Sequence, residues 1–234
     1  MNANPSIGNN PADLDSFTGS FRFIFAKLMQ SIDGALPAKV IAFNRATNLA
    51  QVQPTISVID TNGNATPRAQ IASVPVLQIG AGNFMLNFPV NTGDLGWIVA
   101  LDRDISNFLN SYQDSSPNTF RVKNFADSFF IPNILTNYTI AGGDVNNAVL
   151  QSTNGQVKLS LGMVELTLSA PTINIDAATE ANMNSATVNI SATGELNIMA
   201  STINITTVGV VNMTTPTLAV VGNITATGSI TPFV

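Results

Sequence analysis

The sequence predicts a mainly β protein that has an N-terminal helix, then a small β-barrel, and finally an intertwined triple-stranded β-helix. Three observations predict this architecture. Apolar residues recur at helical spacing near the N-terminus, short alternating segments separated by turns fill residues 38–138, and residues 151–234 repeat with a period of fifteen. The predicted domains are the tail and helix (1–36), the barrel (37–142), the shaft (143–228) and its apex (229–234).

The composition excludes several function classes. The 234 residues include nine Lys and Arg, no Cys and no His, and the net charge is −5. So few cations provide no basic patch for nucleic acid. The absence of Cys and His removes disulfides, thiol chemistry, imidazole bases and most transition-metal sites. We therefore expect no nucleic-acid partner, no metal site, no cofactor and no enzymatic activity.

The N-terminal helix is predicted from apolar residues at steps of three and four. They are Leu14, Phe17, Phe21, Ile24, Phe25, Leu28, Met29 and Ile32. Asp13 or Asp15 is a suitable cap, and Gly34 and Pro37 end the helical pattern. Two interpretations remain open for the apolar face. It packs on the domain that follows, or it docks onto a neighbouring subunit or a larger assembly.

The barrel is predicted from short strands that alternate with turns. The candidate strands are 39–43, 49–53, 56–59, 74–77 and 96–101. Predicted turns lie at 44–48, 60–64 and 80–82, where Asn, Asp and Gly are frequent. Five or six short strands in about a hundred residues favour a small closed barrel of the oligonucleotide/oligosaccharide-binding (OB) type.

The C-terminal repeat contains two sets of short alternating segments. The segment that begins at Thr172 (Thr-Ile-Asn-Ile) recurs as Thr-Val-Asn-Ile at Thr187, as Thr-Ile-Asn-Ile at Thr202, and more loosely at Thr217. A second set, which includes Leu196-Asn197-Ile198, has the same spacing, so apolar pairs begin at 173, 181, 188, 196, 203, 211 and 218. Steps of eight and seven residues predict one short strand and one turn per step.

One copy of this repeat buries too little apolar area to be stable alone. About four side chains per repeat contribute roughly 1.5–3 kcal/mol each, against an ordering cost of about 1.5 kcal/mol per residue. Several copies of the chain wound about one axis close the strand edges and share a dry core. We therefore predict a homotrimeric shaft over a single-chain solenoid. Its predicted core residues are Ile173, Ile175, Val188, Ile190, Leu196, Ile198, Ile203, Ile205, Val211 and Met213.

The chain ends with an uncharged apolar segment. Ile230, Pro232, Phe233 and Val234 close the sequence, and no charged residue follows Glu195. One interpretation is an apolar plug that seals the end of the trimer core. The other is a blunt point that enters lipid without carrying a side-chain charge into it, and the two are compatible.

Five acidic residues are candidates for catalysis by their spacing. Asp102 and Asp104 flank Arg103, while Glu165, Glu180 and Glu195 recur every fifteen residues. A glycosidase needs two carboxylates that converge on one cleft, and the stacked turns of a rod provide no cleft. We expect these residues to lie in solvated turns or ion pairs.

Several short motifs in order resemble a known family. They are Leu36-Pro37, Gln51-Val52-Gln53-Pro54, Val74-Pro75-Val76, a Gly-rich turn, Phe88-Pro89-Val90, Gly93-Asp94-Leu95-Gly96, Asp102-Arg103-Asp104-Ile105 and 125–132. Over roughly residues 36–135 the chain resembles the N-terminal OB domain of the central spike proteins of contractile-tailed phages. Many relatives also carry a C-terminal His-x-His pair that holds iron, and this chain cannot form that site because it has no His.

The resemblance implies a function. Such spikes are homotrimers that sit under the tail hub at the centre of the baseplate, and sheath contraction drives them through the bacterial outer membrane. It therefore implies a virion protein at the tail tip, made in the host cytoplasm, with hub and baseplate partners. A single-chain solenoid that binds carbohydrate or ice, a receptor-binding fibre tip, and a spike of a related secretion-system or tailocin particle remain alternatives.

Overall fold

The chain divides into two units, Met1–Ile175 and Asp176–Val234. The structure is a computed structural model that describes residues 16–59, 63–136, 139–225 and 227–228. In the first unit, strands dominate the secondary structure. The predicted apex residues Ile230, Pro232, Phe233 and Val234 lie outside the described residues.

Helix α1 (Phe17–Gln30) is the predicted N-terminal helix. Its N-cap is Ser16, whose hydroxyl accepts a hydrogen bond from the Gly19 amide at 3.0 Å. The predicted cap at Asp13 or Asp15 is therefore wrong, and both aspartates lie outside the described residues. The helix ends before Gly34, as predicted.

The apolar face of α1 is not covered by the rest of the described chain. Its large apolar side chains are exposed, and Phe17 is 87% exposed. The interpretation in which this face packs on the following barrel is therefore wrong. A four-turn helix with an apolar stripe is normally stabilised by burial of that stripe, so the face needs a partner beyond the described residues of this chain.

Among the described residues, α1 is followed by twelve strands, one further helix and a short 3-10 helix (Gly142–Asp144). The second helix, α2 (Ser106–Ser111), lies between the eighth and ninth strands. The strands are β1 (Ala35–Asn44), β2 (Leu49–Pro54), β3 (Val58–Ile59), β4 (Ala65–Thr66), β5 (Ile71–Pro75), β6 (Ile79–Ala81), β7 (Phe84–Leu86), β8 (Leu95–Leu101), β9 (Asn124–Pro132), β10 (Ala148–Gln151), β11 (Lys158–Leu161) and β12 (Leu166–Ser169).

The main sheet has five strands in the order β5-β2-β1-β8-β9. All neighbouring strands are antiparallel. The two edges approach each other beyond β5, where Val76 forms a parallel bridge with Phe130 of β9 and the Leu77 amide donates to the Phe130 carbonyl at 2.8 Å. The sheet is thus a nearly closed barrel of five strands, which is the architecture of an OB fold, and the mainly β prediction is confirmed.

Buried residues alternate with more exposed ones along the strands, and the buried ones form the barrel core. In β2 every second residue is buried, as a strand with one covered face requires. The core consists of Ala38, Val40, Ala50, Val52, Val74, Val76, Val90, Ile98, Phe125 and Phe130. Gly96 allows the closest approach within it, because a Cβ there would collide with the Ile131 carbonyl oxygen and would lie 2.5 Å from Phe130 Cζ.

Three smaller sheets accompany the main sheet among the described residues, and the first of them is the pair β3-β4. The hairpin β6-β7 turns at Gly82, whose φ of +60° favours glycine, and it carries exposed Phe84 and Met85. Strands β10, β11 and β12 form an antiparallel sheet at the end of the first unit. Among the described residues after Ser169 no helix or strand is present. The single chain therefore does not show the predicted triple-stranded β-helix.

Candidate functional surfaces

From residue 171 onward the chain carries the predicted repeat as a series of regularly spaced bends. Bends lie at 171, 178–179, 186, 193–194, 201, 208–209 and 216. Consecutive bends are about seven or eight residues apart, the spacing predicted from the apolar pairs. Residues between the bends are without helix or strand, so each repeat contributes two short segments to the surface.

Side-chain hydrogen bonds stabilise some of the bends. The Ser185 hydroxyl donates to the Thr187 carbonyl at 2.7 Å, and the Thr215 hydroxyl donates to the Thr217 carbonyl at 2.9 Å. Between these, the Thr207 hydroxyl accepts from the Gly209 amide at 3.1 Å. The first two contacts are thirty residues apart, which is two periods of the repeat. Hydroxyl groups that bond backbone two residues away are a known device for turning a chain.

The ten predicted core residues of the shaft are all exposed in the single chain. We call them, together with Met183, Leu218 and Val220, the apolar rows. Exposure ranges from 46% at Ile173 to 82% at Ile175. Soluble proteins rarely leave so many large apolar side chains in water without a partner. Extended backbone without a pairing strand also leaves N–H and C=O groups in need of partners.

The acidic pair Asp102 and Asp104 does not form an open reactive site. Asp102 is an exposed residue whose carboxylate accepts from the Lys123 ammonium at 2.5 Å, and this contact lowers its pKa. Asp104 is only 5% exposed. Its carboxylate accepts from the Ser106 amide and hydroxyl at 2.9 and 2.6 Å, and from the Thr119 hydroxyl at 2.6 Å.

Arg121 joins Asp104 to a second buried carboxylate. Its guanidinium donates to Asp104 at 3.2 Å and to both oxygens of Asp127 at 2.9 and 3.1 Å. Hydrogen bonds from Ser106 and Thr119, with the charge of Arg121, hold the pKa of Asp104 well below its ordinary value. The bond to Asp127 raises the pKa of Arg121. We name Asp104, Thr119, Arg121 and Asp127 the carboxylate cluster; it ties the loop after β8 to β9.

A second polar cluster orders the start of the β10-β12 sheet. Asp144 accepts from the Lys158 ammonium at 2.5 Å and from the Ser160 hydroxyl at 2.7 Å. Asn147 donates to the same hydroxyl at 2.9 Å. The bonds from Lys158 and Ser160 lower the pKa of Asp144. These partners lie fourteen and sixteen residues apart in sequence, so no local motif predicted the cluster.

A shallow cleft of about 640 Å³ lies beside the exit of α1. Arg68 stacks over the Phe125 ring at 5.6 Å and donates to Asp33 at 3.0 Å. Asp33 also accepts from the Phe125 amide at 3.0 Å. Asp33 thus accepts from both Arg68 and Phe125, and these contacts attach the end of the α1 segment to the barrel.

Neither a metal-binding cluster nor a membrane-spanning helix occurs among the described residues. In that part of the chain no group of three or more His, Cys, Asp and Glu is placed to hold a metal ion. No helix there has the length and hydropathy needed to cross a bilayer. Glu165, Glu180 and Glu195 are exposed in the repeat region.

Comparison with known protein families gives a match for the barrel. Residues 36–133 match the family described as Phage protein Gp138 N-terminal domain. The match indicates a phage protein. The matched residues begin one residue inside β1 and end one residue beyond β9, so they coincide with the nearly closed barrel and cover less than half of the chain. No curated protein matches the chain. A phage family suggests a structural component of the virion, which agrees with the coarser part of the function predicted from the sequence.

Proposed function

We propose that this chain is the structural, cell-puncturing spike at the tip of a contractile phage tail, which pierces the bacterial outer membrane when the sheath contracts. The observation that carries the proposal is that one chain contains both a barrel that matches a phage family and a C-terminal repeat whose apolar rows are exposed. The barrel attaches to the tail, and the repeat forms the shaft.

The apolar rows support a homotrimer. Each segment between bends contributes one or two residues to the apolar rows, and each such side chain contributes roughly 1.5–3 kcal/mol when it is buried. Three chains wound about one axis place these rows in a common interior and pair their extended backbones with one another. A shaft paired along its length resists bending, so it can transmit force.

The same observations weigh against a single-chain solenoid. Successive coils of such a solenoid pair with one another within the chain. The described residues after Ser169 contain no such strand. The solenoid alternative, with a carbohydrate or ice surface as its ligand, therefore has less support than the trimer.

The proposed partners are the tail hub and baseplate proteins, with the bacterial outer membrane as a transient one. The proposed location is the baseplate tip of the virion. The mechanism is mechanical and uses no enzyme activity, cofactor or nucleic acid. The net charge of −5 supports the absence of a nucleic-acid partner. The mutual pairing of the charges in the carboxylate cluster supports the absence of enzyme activity.

The experiment is a measurement of mass for the full-length chain. Light scattering after size exclusion is expected to give three times the mass of 24.6 kDa. The trimer is expected to remain intact in SDS at room temperature and to dissociate on boiling. A monomer in solution would contradict the proposal, and a glycan array with selective binding would favour the alternative.

A further inference from the structure

Helix α1 carries an apolar seam that the proposed shaft does not explain. Phe17, Phe21, Ile24 and Leu28 are all exposed. They are separated by four, three and four residues. This is the a/d spacing of a coiled coil, in which apolar residues recur on average every 3.5 residues. Leu14, outside the described residues, lies three residues before Phe17 and continues the same spacing.

The positions that flank the seam carry little charge. In this heptad frame Thr18 and Phe25 occupy e positions, while Ser20 and Lys27 occupy g positions. In a parallel bundle Lys27 faces the e position of the next heptad, which is Ile32, so no like charges oppose each other across the seam. Lys27 also stacks over Phe23 of its own helix at 5.6 Å. A helix with no acidic residue and an almost neutral flank is well suited to pairing with copies of itself.

The chain between α1 and the barrel is attached rather than free. Asp33 accepts from the Phe125 amide and pairs with Arg68, both at 3.0 Å. The Asp33 amide donates to the Lys123 carbonyl at 2.9 Å. Three contacts of one residue thus determine where the helix segment leaves the barrel. An anchor of this kind presents the same helix face from every copy of the barrel.

The repeat by itself does not specify how three chains align with one another along the shaft. Because the segments that begin at Thr172, Thr187 and Thr202 are nearly identical and lie fifteen residues apart, three chains displaced by one period bury nearly the same side chains. Self-similar strands specify their register weakly. A correct shaft therefore needs a non-repetitive interface elsewhere in the chain that aligns the three copies.

We propose that α1 pairs with α1 of two further copies as a parallel three-stranded coiled coil, and that this bundle sets the register in which the C-terminal repeats wind. The proposal rests on the trimer of the proposed function and adds a second interface at the other end of the chain. A helix of fourteen residues is marginal by itself. The high effective concentration within the trimer stabilises it.

The first test is site-directed cross-linking, for which the absence of Cys from the chain is an advantage. Full-length Ile24→Cys places a thiol at a seam position. Ala26→Cys is the matched control, because it lies two residues away at the f position that faces outward. Each protein is treated with a short bismaleimide and run on a denaturing gel after boiling. Since linking requires close approach of the two chains, covalent dimer is expected to be roughly tenfold more abundant for Ile24→Cys than for Ala26→Cys.

The second test measures register. Full-length Phe21→Ser/Ile24→Ser disrupts the seam, while Arg22→Ser/Ala26→Ser changes the outer face of the same turn. Each protein is unfolded in denaturant and refolded by dilution. The yield of SDS-resistant trimer is expected to fall roughly tenfold for the seam variant, because the helix bundle no longer holds the three chains together and aligned. The yield of the outer-face control is expected to stay near that of the wild type.

The outcomes separate this proposal from the proposed function. A wild-type trimer with equal cross-linking at both cysteines overturns the coiled coil and leaves the spike intact. That result is also the one expected if α1 binds another tail protein. Equal refolding yields overturn the register role. A wild-type monomer overturns the proposed function and this inference together.

Discussion

At the scale of single residues, Gly96 explains how the barrel closes. Strand β8 approaches β9 so closely at this point that any side chain at Gly96 would meet the Ile131 carbonyl and the Phe130 ring. Phe130 is fully buried and also forms the parallel bridge with Val76. The glycine thus leaves space for the aromatic ring that joins the two ends of the sheet.

Gly96→Ala is expected to destabilise the protein by about 1–3 kcal/mol or more, the range found for overpacked cores. The measurement is urea unfolding followed by the fluorescence of the single Trp, at a fixed protein concentration because association affects stability. Gly34→Ala is the control, since a Cβ there meets nothing within 4 Å, and its effect is expected to stay within about 0.5 kcal/mol. Equal effects of the two variants would disprove the explanation by close contact.

The carboxylate cluster predicts how stability depends on pH. Hydrogen bonds from Ser106 and Thr119, with the charge of Arg121, lower the pKa of Asp104 from 3.8 in the folded state. A group with a depressed folded pKa contributes stability above its unfolded pKa, and that contribution is lost as the pH falls through the folded pKa. The wild-type protein is therefore expected to lose stability below about pH 4.

Asp104→Asn is expected to be less stable than wild type near pH 7 and to lose less stability between about pH 7 and pH 3. Urea midpoints at the two pH values measure this difference. Asp102 and Asp144 also have lowered pKa values, so part of the acid sensitivity should remain. Asp114→Asn changes an exposed carboxylate of the same loop and should follow the wild type. An unchanged acid response in Asp104→Asn would rule out this role of the cluster.

At the scale of elements, the bends show that the repeat positions follow a fixed spacing along the chain. They recur about every seven or eight residues, and hydroxyl contacts recur two periods apart. A deletion that preserves the phase should therefore be tolerated better than a shorter one that breaks it. This distinction holds because apolar side chains keep facing the interior only when whole periods are removed.

Deletion of residues 187–201 removes one period and joins Ala186 to Thr202, so Thr-Ile-Asn-Ile again follows. This variant is expected to assemble as a shorter SDS-resistant trimer. Deletion of residues 187–197 removes fewer residues, but it shifts all later apolar positions relative to the fifteen-residue period. This variant is expected to yield no SDS-resistant trimer. Light scattering and gels measure both. If the phase-shifting deletion assembles as well as the other, the repeat does not form an ordered shaft.

At the scale of the whole molecule, the two ends of the chain have different proposed tasks. The phage-family barrel belongs to the first unit. The sequence ends with the apolar residues Ile230, Pro232, Phe233 and Val234. Their role as the piercing apex remains a prediction, because they lie outside the described residues. If they enter lipid first, charge at this point opposes entry, since a charged side chain is costly inside a bilayer.

Phe233→Lys/Val234→Lys is therefore expected to keep the trimer but to lower the plating efficiency of a phage that carries it. Phe233→Leu/Val234→Ile preserves the apolar character and serves as the control, with plating near wild type. The trimer is checked for both variants by SDS resistance. Unimpaired plating by the lysine variant would mean that an uncharged tip is unnecessary for piercing.

The sequence by itself determined the features that depend on near neighbours. The fifteen-residue period, the α1 stripe, the main strands of the barrel and the exclusion of a His-based metal site were readable, because side-chain direction follows the local backbone period. The expected resemblance over residues 36–135 agrees with the family match over 36–133.

The tertiary structure alone decided the contacts between distant residues. Asp33 meets Phe125 across 92 positions, the carboxylate cluster joins residues up to 23 apart, and Val76 meets Phe130 to close the barrel. It also decided that the α1 face and the apolar rows are left uncovered by the described residues. Periodicity states which side chains share a face, but which surface covers that face depends on how distant segments, or separate copies, meet in space.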